Sequence, residues 1–236
     1  MQFELRTSFS ALLVGWLIAI FTSSPAFAQA VGSSCGSLSS PGQYGPYDFR
    51  TQPGTVQIVL GAHFTPVVES LIRGMTGSRP GGDIDYTLRA LPNYHRALIA
   101  MMRLGEKEKT SQPTGSHYTI ECWFGRAIQF RPDDAIVRMI YSTYLNSKAR
   151  ILEANTQLEA ATGYAKDSPF THYNIGLHYF DLKNYDMALV QAHKAMALGW
   201  PQTELRDKLQ SIGKWTAPAD LPATPAADNT PTSQIK

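Results

Sequence analysis

The sequence predicts an all-α fold made of repeated helical hairpins, and two observations carry that expectation: small residues recur at a fixed interval, and helix-starting residues head each unit. Gly176, Tyr179, Ala188 and Ala195 each have a counterpart 34 positions earlier, at Ser142, Leu145, Ala154 and Ala161, and Ala127 extends the series once more. A period of that length fits a pair of helices, which cannot bury its apolar face alone and must stack on a neighbour. The chain has 236 residues, 43% of them hydrophobic, so there is material for a real core.

In chain order, residues 1–28 read as a signal peptide. Ala11 to Phe21 is an uninterrupted apolar run, and Ala26-Phe27-Ala28 supplies the small-residue pattern of a cleavage site after Ala28. The run is short for a membrane span, so contact with a membrane is expected only if this segment is retained. The predicted location is the periplasm. Gly32-Ser33-Ser34 lacks the aliphatic residue that would precede a lipidated Cys35.

Residues 29–82 form an irregular segment punctuated by Pro41-Gly42, Gly45-Pro46 and Pro53-Gly54. Within it Thr55–Leu60 (TVQIVL) has strand composition and Pro66–Ile72 fits a short helix. Residues 83–215 hold the repeats and a cap. In the first unit Leu91–Leu104 and Tyr118–Phe130 are the expected helices, with Gly105–His117 as a polar insertion. In the second, Arg131-Pro132-Asp133-Asp134 stops one helix and caps the next, which gives Asp134–Asn146 and Lys148–Thr162. The third opens on Ser168-Pro169, an N-cap followed by a first-turn proline, and gives Pro169–Leu182 and Met187–Leu198. Gly176 leaves room there for a close helix approach. Thr203–Lys214, with Leu205, Leu209 and Ile212 on one stripe, fits a terminal cap helix, and residues 216–236 are too poor in apolar side chains to fold.

These residues resemble the tetratricopeptide repeat (TPR) family over about Leu91 to Pro201, most closely in the last unit. His172 and Arg138 stand where the family carries tryptophan. The resemblance implies a solenoid of about three units whose first helices line a concave groove that holds a protein or extended peptide. Its groove positions fall on Phe170, Tyr173, Asn174, Leu177 and Phe180 of the last unit and on Met139 and Thr143 of the middle one. Asn174 resembles the asparagine of modules that grip a C-terminal carboxylate, but Ile136 and Met139 occupy the places of the cations such a clamp needs.

Charge and chemistry narrow the function classes. A formal net charge of +2 is too small to drive nucleic-acid binding by counterion release. The two cysteines, Cys35 and Cys122, are expected to pair in an exported chain, in a loop worth about 4 kcal/mol in the chain-entropy account. The glycine-rich stretch Gly74–Gly82 lacks the Gly-Lys-Ser/Thr ending of a phosphate loop and reads as a connector. Asp83 and Asp85 read as caps for the helix that follows. His172 and His178, six apart on one helix, diverge by about 120° and do not make a zinc pair. No catalytic set, metal site or cofactor is expected. The leading expectation is a non-catalytic periplasmic scaffold. The alternatives are a subunit of an envelope assembly such as a pilus or secretion machine, and a small-ligand or enzymatic site around His63, Asp83, Asp85 and Arg89.

Overall fold

The computed structural model describes residues 35–75 and 79–218, and among them every regular element is helical. The signal-peptide expectation lies outside the described residues, as do residues 219–236 of the expected unstructured tail. The helices are α1 Pro53–His63, α2 Pro66–Glu69, α3 Gly81–Ala90, α4 His95–Glu108, α5 Ile120–Phe130, α6 Ala135–Ser147, α7 Ile151–Tyr164, α8 Pro169–Asp181, α9 Tyr185–Ala197 and α10 Glu204–Ser211. None is long and apolar enough to cross a membrane.

The caps act as the sequence requires. Thr119 accepts from the Cys122 amide at the head of α5, Asp134 from Val137 at α6, Ser168 from Thr171 at α8 and Asn184 from Met187 at α9. Each such bond satisfies an amide that a helix start would otherwise leave open, worth about 1 kcal/mol. Helices α6 and α7 pack as a pair, as do α8 and α9, while α4 meets α6, α6 meets α8, and α5 and α7 rest on the first helix of the following pair. The small residues sit at these contacts: Ala127, Ala154, Ala161, Ala188 and Ala195 are all buried. Helix α10 closes the end against α8 and α9 through Leu205 and Leu209, whose burial is worth about 2 kcal/mol each.

The segment before the repeats departs from expectation. Thr55–Leu60 is not a strand; it lies inside α1. Pro53 stands in the first turn of α1, and the apolar residues fall at helical spacing, with Val56 and Val59 buried and Ile58 64% exposed. A strand would have put Val56, Ile58 and Leu60 on one face, and no second strand exists among the described residues to take its backbone bonds. Residues 81–90, split by the boundary drawn at 83, form α3, and Leu91-Pro92-Asn93-Tyr94 is the turn into α4 rather than its first turn. Asp83 and Asp85 lie within α3, so they are not caps.

Two devices fasten the N-terminal segment to the helical body. Cys35 and Cys122 form a disulfide across a separation of 87 residues, with Cα atoms 5.2 Å apart, a cross-link of the kind that persists in oxidising, exported surroundings. Beside it the buried Arg126 Nη1 donates to the carbonyls of Cys35 at 2.9 Å, Gly36 at 3.3 Å and Ser37 at 2.8 Å, and the guanidinium lies over the rings of Tyr118 and Trp123. The second device is an ion cluster. The buried Asp48 carboxylate accepts from Arg50 and Arg131, and the Asn93 amide donates to Asp48 at 2.9 Å and to Asp134 at 3.1 Å. His95 Nε2 reaches Asp134 at 2.9 Å. One asparagine thereby joins the carboxylate of the N-terminal segment to the one that caps α6.

Candidate functional site

The expected groove residues separate into exposed and structural groups. Helix α8 begins at the Ser168 cap, and the stripe Phe170, Asn174, Leu177 and Asp181 follows at helical spacing along it. Phe170 is 50% exposed and meets Trp200 edge-on at 5.7 Å. Asn174 is half-buried and its amide donates to the Phe170 carbonyl at 2.8 Å, so its side-chain oxygen carries no partner among the described residues. Leu177 and Phe180 are partly buried at the edge of the core, and the Phe180 ring lies under Lys208 of α10.

Tyr173 and Met139 are of the structural kind, 5% and 3% exposed. Tyr173 lies between Trp200 and α10, its hydroxyl 3.4 Å from Glu204 Oε2. Met139 is a core residue of α6. Thr143 is exposed, and its hydroxyl stands 3.3 Å from His178 Nδ1, bridging α6 and α8. Burial pushes the His178 imidazole below its ordinary value, against a smaller opposing pull from Asp181. The surface along α6 and α8 is therefore the exposed Thr143 and Phe170 with the half-buried Asn174, Leu177, His178 and Phe180 between and beside them: aromatic and aliphatic contacts around amide and hydroxyl groups that can pair with a peptide backbone.

His172 is buried and structural. Its Nδ1 lies 2.7 Å from Gln191 Oε1 and its Nε2 2.7 Å from the Lys166 carbonyl, which ties α8 to α9 and to the preceding turn. Arg138 covers the Tyr164 ring at 5.4 Å and donates to Gln157.

A second polar group gathers on α3 and contains all four residues singled out near the N-terminus. His63 Nδ1 lies 2.9 Å from Asp83, whose other oxygen accepts the Met75 amide, and the His63 ring stacks on Tyr86 at 3.9 Å. The Arg89 guanidinium lies 5.4 Å from the Tyr86 ring centre and donates to Asp85 at 3.0 Å. Asp85 is buried and also accepts the backbone amide and Nδ1 of His117, both at 2.8 Å. Tyr86 and His117 were missed as partners, because His117 arrives from the insertion between α4 and α5 and no local spacing links it to α3. In both dyads the carboxylate orients an imidazole, yet no described group of three or more His, Cys, Asp or Glu could hold a metal ion. Comparison with family models, with curated proteins and with solved structures finds no match.

Proposed function

We propose that this chain is an exported, periplasmic scaffold of the tetratricopeptide type that holds a partner protein or extended peptide along α6 and α8 and performs no chemistry itself. The single observation that carries the reading is the open mixed surface on these two adjacent helices. There Phe170, Leu177 and Phe180 offer apolar contact beside the side-chain oxygen of Asn174, which accepts no hydrogen bond among the described residues. Two further features support it: the first helices of successive pairs contact each other, as a stacked array requires, and the disulfide suits an oxidising compartment. Tyr173 and Met139 act in this reading by fixing the shape of the surface rather than by touching the partner.

The test is site-specific photo-crosslinking in intact cells with the probe placed at Thr143, Phe170 or Leu177, and at Leu152 and Val190 on α7 and α9 as controls. A discrete adduct from the first three sites and none from the controls is expected. Adducts confined to Leu152 and Val190 would remove the α6 and α8 surface from the account and favour an assembly subunit that packs by its other helices.

A further inference from the structure

A cleft of about 420 Å³ lies between the end of α2, the start of α3 and the last turn of α4, within the size range of small-ligand sites. Leu71, Ile72, Pro80 and Leu104 supply its apolar wall, and Arg73, Arg79 and Lys107 its polar lining, with Glu108 as the sole carboxylate. Glu108 is already engaged, accepting the Thr114 amide at 2.7 Å.

Carboxylates hold six of the eleven described arginines. Arg50, Arg89, Arg96, Arg131, Arg150 and Arg206 each pair with a carboxylate. Among the described residues neither Arg73, Arg79 nor Lys107 does. Arg79 Nη1 donates to Thr114 Oγ1 at 3.0 Å and Lys107 Nζ to the Leu71 carbonyl at 3.0 Å, so two of the three heads are held in place by neutral acceptors with donors to spare. Three cations that line one cleft with a single carboxylate leave a net positive charge, and an anion seated among them relieves their mutual repulsion. Ile72, 73% exposed, gives an apolar flank to the same place.

We propose that this cleft binds a phosphate ester: the phosphoryl oxygens meet the guanidinium forks of Arg73 and Arg79 and the Lys107 ammonium, and the organic part lies along Leu71 and Ile72. Guanidinium forks match the spacing of phosphoryl oxygens, and three cations against one carboxylate suit a doubly charged phosphate better than a single carboxylate. The same head chemistry occurs free or as a lipid headgroup, and the experiment separates the two.

Purified protein is titrated calorimetrically with glycerol 3-phosphate and with succinate, and is sedimented with phosphatidylcholine vesicles with or without phosphatidylglycerol. The comparison is the Arg73→Gln/Lys107→Gln variant, with its thermal unfolding checked against wild type. We expect binding in at least one phosphate arm, weakened about tenfold or more in the variant. Retention of the ester alone assigns a soluble ligand. Retention of the anionic vesicles alone, reduced by Ile72→Ser, assigns a lipid. No binding in either arm, binding unchanged in the variant, or succinate held as tightly as the phosphate ester would overturn the proposal.

Discussion

Arg126 shows how much one side chain can fix. A guanidinium 1% exposed is costly unless its donors are used, and burial lowers its pKa accordingly. Its Nη1 serves three successive carbonyls of the turn at Cys35, Gly36 and Ser37, while Nε stays without a partner. The turn is presented to it by the disulfide, so the two depend on each other. Arg126→Met leaves the carbonyls without a donor and should cost about 2 kcal/mol. Cys35→Ser with Cys122→Ser should cost about 4 kcal/mol. Because both act on one turn, the triple variant should lose at least about 1 kcal/mol less than the sum. Urea unfolding of the four proteins measures the coupling, and strict additivity would show that the turn keeps its place without the disulfide.

At the scale of elements, α8 is constrained by what approaches Gly176. A Cβ built there would collide with Leu205 Cδ2 of α10 and stand 3.2 Å from Gln191 Cβ of α9. Alanine is the better helix former by about 1 kcal/mol, yet crowding two neighbours at once costs about 1–3 kcal/mol. Gly176→Ala should therefore destabilise, and much of its cost should vanish in the background of Leu205→Ala, where the nearest obstacle is gone. A denaturation cycle on the four proteins reads this directly; a stabilised Gly176→Ala would mean that α10 does not sit on α8.

The same helices show what the sequence could and could not disclose. Ser168-Pro169 and Asp134 announce α8 and α6 because a cap acts within three residues of itself. Their packing partners were legible through the repeat. TVQIVL was not decidable locally, since β-branched residues suit a strand and the helical stripe of Val56 and Val59 appears only once the neighbouring elements are known. Helix α3 hid behind Gly81-Gly82, where Gly81 faces the Thr114 carbonyl of the insertion. Of the expected groove residues, Tyr173 and Met139 could not be told from exposed contacts by sequence until α10 and the core were placed over them.

For the whole molecule, the ionisable groups predict two separate windows of acid sensitivity. His178 at the α6–α8 seam has its pKa lowered, so the unfolded chain, titrating near 6.5, binds the proton more readily than the folded one. Stability is thus full at neutral pH and declines as pH falls through that value. Asp48 and Asp134 belong to a lower window. Burial alone would raise both, but hydrogen bonds from Arg50 and Asn93 to Asp48, and from His95 and Asn93 to Asp134, outweigh it and hold Asp134 below and Asp48 well below the ordinary 3.8. Their contribution is present above that value and is lost only as pH drops beneath it. Melting temperatures measured from pH 8 to pH 3 should show a shallow decline below about 6.5, followed by a steeper one in the carboxylate range. His178→Gln should flatten the first decline and leave the second; Asp134→Asn should lower stability at neutral pH and blunt the second. The steeper loss should coincide with release of the N-terminal segment, because Asp48 and Asp134 join it to α6 through Asn93. Hydrogen exchange at low pH should then report opening of residues 43–60 before the amides of α8 and α9. If all helices opened together, the ion cluster would be part of one cooperative core and not a separable clasp.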